Sequence, residues 1–146
     1  MKVFLDTNVL IDFLLERMPF YPAAATIISY AFEKEFNVAV SAQSLVTANF
    51  ICIDRCKMPD DVYRRKMDFL REFIDVVSVS RSEIYQSYDA RWKDFEDGVQ
   101  YYCARNNGAD VIVSRNVKDF EASTIPVSSP NSFVESLPKG SQRQDS

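Results

Sequence analysis

An α/β fold built on a parallel sheet is predicted by three observations: short apolar runs alternate with amphipathic stretches, the runs are apolar on both faces, and breaker residues separate the two kinds of segment. Strands that are apolar on both sides need cover above and below, so the helices must form two layers around a central sheet. The 146 residues, 47% apolar and 26% charged, suit one domain with a full-sized core. That domain is placed at residues 1–137, with the polar stretch 138–146 as a flexible tail.

Lys2 to Leu5 is a β-branched and aromatic run that ends abruptly at Asp6-Thr7-Asn8, the pattern of a strand passing into a helix. Asp6 therefore stands at the carboxyl end of the first strand. A helical stretch from Val9 to Leu15 is broken by Pro19 and Pro22, after which Ala24, Ile27, Ile28, Ala31 and Phe32 recur at helical spacing. Phe36 to Val40 reads as the second strand. Ser41 caps a helix over Gln43 to Lys57 that turns Val46, Asn49, Phe50 and Ile53 to one side. Pro59-Asp60 opens another helix through Glu72, with Val62, Phe69, Leu70 and Phe73 inward and Arg64, Arg65 and Arg71 outward. Val76 to Val79 supplies the third strand, Ser82 to Trp92 a helix, and Phe95 to Asn107 a further helix that stops at Gly108. Asp110 to Ser114 is the fourth strand, and Pro126-Val127-Ser128 a short fifth.

Composition narrows the chemistry. The chain has no histidine, which removes Ser-His and Cys-His nucleophile systems, an imidazole base and nearly every zinc enzyme site. Acid–base or metal chemistry must then rest on carboxylates. Cys52, Cys56 and Cys103 are odd in number, lie in apolar contexts and form no CxxC, so free thiols in a reducing compartment are expected. Cys52 and Cys56, four apart on a helix, could form a redox-active pair, but the neighbouring Phe50 and Ile53 favour core packing for both. No apolar run approaches the roughly 18 to 20 residues of a membrane span, and the opening residues read as a strand, so a cytoplasmic protein without a membrane contact is predicted. With 17 Lys and Arg against 21 Asp and Glu, the net charge of −4 disfavours a partner bound mainly through phosphate neutralisation, unless a cation reverses the sign locally. Arg64-Arg65-Lys66 lies on the outer side of a helix and reads as a solvated face.

Three acidic segments carry candidate chemistry, each with a structural alternative. Asp6, at a strand's end, is placed to ligate a cation or simply to cap the following helix. Asp94 and Asp97, three residues apart in Asp94-Phe95-Glu96-Asp97, are spaced as paired ligands or as a capping-box start, with Glu96 toward solvent. Asn116 and Asp119, in the loop Ser114 to Phe120, offer oxygen ligands beside Arg115 and Lys118, or form an ordinary polar turn. Oxygen donors without His suit Mg²⁺ or Mn²⁺ better than zinc.

Taken in order, Val3-Phe4-Leu5-Asp6-Thr7-Asn8-Val9-Leu10, Ser41-Ala42-Gln43-Ser44-Leu45, Lys93-Asp94-Phe95-Glu96-Asp97 and Val113-Ser114-Arg115-Asn116-Val117-Lys118-Asp119-Phe120 resemble the PIN-domain ribonucleases, notably the small bacterial VapC-like branch. The similarity spans about Met1 to Leu137. It implies a three-layer fold with a central parallel sheet, and an acidic pocket that holds Mg²⁺ or Mn²⁺ to cleave RNA. By motif position, Asp6 and Asp97 are the implied metal ligands, and Asp94, Asn116 and Asp119 the further members of the catalytic group. Thr7, Asn8, Thr47, Ser114, Arg115 and Lys118 are the supporting residues. The resemblance also implies an antitoxin protein as partner and a homodimer.

Two departures from the family pattern bear on activity. Thr47 stands where many relatives carry glutamate, and Asn116 where another aspartate is common, so fewer negative ligands are available. A PIN-like regulatory module that binds RNA or protein without cleaving it is therefore the competing expectation. A phosphoacceptor receiver-like domain fits badly, because it needs an acidic pair at the first strand's end and an acceptor aspartate after the third. A DxD phosphatase fails because Asn8 occupies the second acid's place.

Overall fold

A computed structural model of the chain, describing residues 1–138, has five strands: β1 (Lys2–Leu5), β2 (Asn37–Ser41), β3 (Asp75–Val77), β4 (Val111–Val113) and β5 (Val127–Ser128). All neighbours pair in parallel, in the order β3-β2-β1-β4-β5. The chain thus starts in the middle of the sheet, with Phe4 facing Ala39 on one side and Ile112 on the other. Seven α-helices connect and cover the strands: α1 (Thr7–Leu15), α2 (Tyr21–Phe32), α3 (Ala42–Asn49), α4 (Asp60–Leu70), α5 (Arg81–Asp89), α6 (Phe95–Asn106) and α7 (Pro130–Ser136).

The alternation of side chains along each strand splits the interior into two cores. Val3, Leu5, Val38, Val40, Val111 and Val113 project to one face, where Leu10 and Leu14 of α1, Ile27 of α2 and Phe133 of α7 cover them. Phe4, Ala39, Val77 and Ile112 project to the other, against Val99, Cys103 and Ala104 of α6 and the ring of Phe120. Both faces are covered, which is why the strand sequences carry no polar alternation.

Most elements lie within a residue or two of their predicted bounds. Gly108 stops α6 as expected, at a φ of +72° that a side-chain-bearing residue rarely adopts. The stretch 42–57 differs: α3 gives way at Phe50–Arg55 to a π-helical turn. Val46 and Phe50 are 67% and 46% exposed, whereas Ser44, Ala48 and Cys52 are buried at the same four-residue spacing. Val46, Asn49 and Phe50 thus share the outward side, and the buried side includes a serine. Phe69 is likewise exposed rather than inward, covered in part by stacking with Phe32 and Phe73 at centroid separations of 5.4 and 5.0 Å. Helix α7, capped by Ser129 through the Ser132 amide, was not anticipated. The tail expected at 138–146 lies, apart from Pro138, outside the described residues.

All three cysteines are free thiols; Cys52 is packed in the core as expected, whereas Cys56 is exposed rather than packed, and burial pushes the Cys52 thiol up to about 11 and that of Cys103 up to about 12. Among the described residues no helix is long and apolar enough to cross a membrane.

Candidate acidic site at the carboxyl edge of the sheet

Because the strands run in parallel and in register, the residues following β1, β2 and β4 emerge at one edge, where ligands sit in open α/β sheets. Asp6, Ser41 and Ser114 meet there, and the amino-terminal half of α6 comes down on them. Asp6 is buried and accepts four hydrogen bonds: from the Thr7 amide at 2.8 Å, Ser114 Oγ at 2.7 Å, Asn8 Nδ2 at 3.3 Å and Gln100 Nε2 at 3.3 Å. It caps α1 and faces the site at once, so the two readings of this residue are compatible.

Gln100 ties the edge together. Its amide nitrogen donates toward Asp6, Thr7 Oγ1 at 3.2 Å and Ser44 Oγ at 2.9 Å, while its carbonyl accepts from Ser41 Oγ at 2.5 Å. The Thr7 and Ser44 hydroxyls are themselves 2.6 Å apart. No buried side-chain polar atom among the described residues is left without a partner, so this network is closed and rigid.

The second carboxylate comes from α6. Asp94 caps this helix by accepting from the Asp97 amide at 3.0 Å, which leaves the Asp97 side chain half-buried in the first turn. Burial and then repulsion from Asp94, Asp6, Asp119 and Glu96 push the Asp97 carboxyl up from 3.8 to about 7. Segments far apart in sequence therefore converge electrostatically on one point. Asp119 reaches it from the 3-10 turn Val117–Phe120, which is anchored by the buried Phe120 ring. Asn116 adjoins it through its amide, which donates to Ser114 Oγ at 3.0 Å. Among the described residues no three acidic or cysteine side chains are packed closely enough to form a ready cage for an ion.

Gly98 lets α6 sit this low. A Cβ there would collide with Ser87 Oγ and lie 2.8 Å from Trp92 Cγ. Gly98→Ala is expected to destabilise the fold by about 1 to 3 kcal/mol, read as a lowered midpoint in thermal or urea unfolding.

The supporting residues divide. Thr7, Asn8 and Ser114 brace Asp6 directly. Thr47 is half-buried one turn beyond Ser44 and accepts from Gln43 Nε2 at 3.3 Å, with no hydrogen bond to the carboxylates. Lys118 is exposed. Arg115 turns away from the acids: its guanidinium binds Asp12 at 2.7 Å and lies 4.0 Å from the centroid of the Phe20 ring. Asp12, 1% exposed, also binds Arg17 at 2.8 Å, so one buried carboxylate holds two guanidinium groups. Asp12→Ala should cost about 2 to 3 kcal/mol in a denaturant titration, because it leaves two partly buried cations unpaired.

Gln100 and Asp12 were missed from the sequence, although each left a trace. Gln100 follows Asp97 by three residues and so shares its helix face. Asp12 interrupts the apolar run Val9 to Leu15.

Residues 2–118 match the PIN domain family. The chain belongs to that family. Ribonuclease VapC1 of Aquifex aeolicus (strain VF5) is 26% identical to this PIN-domain protein over 141 residues, covering 92% of the chain and 94% of the relative. A toxin–antitoxin complex from Klebsiella pneumoniae superposes with a TM-score of 0.65 at 20% identity, over 88% of this chain and 97% of that one. VapBC2 from Rickettsia felis, bound to a DNA fragment from its promoter, superposes at 0.63 with 14% identity, over 87% and 97%. The PIN fold, parallel sheet and flanking helices included, is thereby matched along nearly the whole chain.

Proposed function

We propose that this PIN-domain protein is a divalent-metal-dependent endoribonuclease, the toxin of a toxin–antitoxin pair. The observation that carries the reading is the gathering of Asp6, Asp94, Asp97 and Asp119 at one edge of the sheet, where burial first and then repulsion from the other carboxylates push the Asp97 carboxyl up to about 7. The similarity to Ribonuclease VapC1 supports the activity, and the solved toxin–antitoxin complex of the same fold supports a protein partner. A homodimer, RNA as substrate and a cytoplasmic setting complete the proposal.

The residues fit Mg²⁺ or Mn²⁺. Their donors are hard oxygens, no cation is among the groups that act on Asp97, and such ions need only one or two carboxylates when water and phosphate fill the remaining positions. Asp6 and Asp97 would hold the ion, directly or through water, with Asp94, Asn116 and Asp119 completing or orienting its surroundings. The ion supplies Lewis acidity at the scissile phosphate and the positive charge that an acidic protein needs to accept an anionic polymer. Thr7, Asn8, Ser114 and Gln100 fix the Asp6 carboxylate, so that its lone pairs are already oriented when substrate arrives. Asp97 takes up or releases a proton near neutrality, according to what occupies the edge.

A second reading, a PIN-like binding module without turnover, is favoured by Thr47 and by the absence of a ready three-carboxylate cage among the described residues. One assay separates the two. Wild type and Thr47→Glu are compared on mixed single-stranded and structured RNA, in Mg²⁺, in Mn²⁺ and in EDTA. Metal-dependent scission by wild type is the expected result; binding without scission would favour the module. Thr47→Glu is expected to tighten metal binding by about tenfold, read by calorimetry. Loss of stability with no gain in affinity would place Thr47 outside the ion's surroundings.

A further inference from the structure

Beside the acidic edge, Phe20, Ala23, Arg115, Asn116, Pro130 and Asn131 line a cavity of about 250 Å³. It adjoins the site: Asn116 lines it, and the Asn116 backbone amide donates to Ser114 Oγ, which in turn donates to Asp6. We propose that this cavity receives an unpaired nucleobase of the RNA, next to the phosphate held at the acidic edge. This deepens the nuclease reading and rests on it.

The lining matches a base in shape and chemistry. The volume accommodates a purine or a pyrimidine but not a folded peptide segment. One wall is planar: the Arg115 guanidinium lies over the Phe20 ring, and Asp12 locks it there through two contacts at 2.7 and 3.4 Å. A preorganised ring and guanidinium are the surfaces on which splayed-out bases stack. Ala23 and Pro130 add apolar walls. The side-chain amides of Asn116 and Asn131 make no hydrogen bond among the described residues, which leaves donors and acceptors free for a base edge. Asp12 shared between Arg17 and Arg115 leaves one net positive charge beside the cavity, opposite in sign to the carboxylates and suited to the adjoining phosphate. The polymer would run from a positive base site to an acidic cleavage site.

The test measures binding without turnover. Wild type, Phe20→Ala and Asn131→Ala are titrated with Ca²⁺ in place of Mg²⁺ or Mn²⁺, under conditions checked for the absence of cleavage, with a labelled single-stranded RNA of roughly nine nucleotides, intact or carrying one abasic nucleotide at each position in turn. For wild type, one abasic position should weaken binding by about tenfold, and each variant should weaken intact RNA by about fivefold to tenfold while losing that position's effect. Asn131 is exposed and unbonded, so its variant reports even if Phe20→Ala unfolds. Unchanged affinity in Asn131→Ala and a uniform response along the strand would overturn the proposal, as would unchanged RNA affinity accompanied by loss of a bound protein partner. Metal-dependent cleavage is scored separately: base-dependent binding without cleavage removes the nuclease reading alone, and cleavage without base dependence removes the base site alone.

Discussion

Asp6→Asn lowers metal-dependent RNA cleavage by at least about a hundredfold, while the protein stays folded. Asp6 is the carboxylate most firmly held at the edge, with bonds of 2.8 and 2.7 Å from the Thr7 amide and Ser114 Oγ. Asparagine keeps an oxygen to cap α1 but carries no charge to hold a cation. Mutating residues that merely orient a ligand commonly costs 10- to 100-fold, so neutralising a ligand should cost about the upper end or more. Stability should change little. A mismatched contact to Ser114 costs about 1 kcal/mol, and removing one negative charge relieves Asp97, which Asp6 repels. Cleavage at the wild-type rate under metal titration, by a variant with an unchanged circular dichroism spectrum, would remove Asp6 from the mechanism.

In EDTA the thermal midpoint falls as pH rises from about 5 to 8, and Mg²⁺ or Mn²⁺ restores it most at the alkaline end. The sign follows from Asp97. Its carboxyl releases a proton at 3.8 when unexposed to the fold and at about 7 within it, so the folded state binds more protons between those values. Stability from this group is complete below the lower value and is lost as pH climbs through the upper one. One proton gives a slope of at most about 1.4 kcal/mol per pH unit, and partial solvent exposure reduces it. Glu83 acts oppositely. Burial raises its carboxyl, but hydrogen bonds from Ser80 and Asn106 outweigh that and hold it below 4.5, so its contribution is lost as pH falls further. A divalent ion held by Asp97 would replace its proton, so its benefit is expected to grow with pH. Asp97→Asn should flatten the slope measured in EDTA; an unchanged slope would show that another group carries it.

How far the site was readable depends on the kind of residue. Asp6 stood out because a carboxylate directly after an apolar strand has nowhere to go but the sheet's edge, and Asp94 and Asp97 because their spacing marks a helix start. Arg115 was placed beside the oxygen ligands, but its pairing with the buried Asp12 was not legible, since that partner is 103 residues away in the chain. Gln100 was missed for the same reason: its spacing from Asp97 marks a shared helix face, but its partner Ser41 is 59 residues distant. Which side of α3 is buried was not legible, because Ser44 is buried through bonds to Thr7 and Gln100, not through apolar area.

The order of strands and helices, the double-sided burial of the sheet and the family itself follow from the linear pattern, because apolar periodicity is a local property that each segment expresses alone. Which polar groups turn inward, how two arginines share one aspartate, and how four carboxylates come to press on one proton were decided by the folded chain. A polar side chain can be buried only where a partner from another segment meets it, and that meeting exists only once the sheet has brought residues 6, 41, 97 and 114 to one edge.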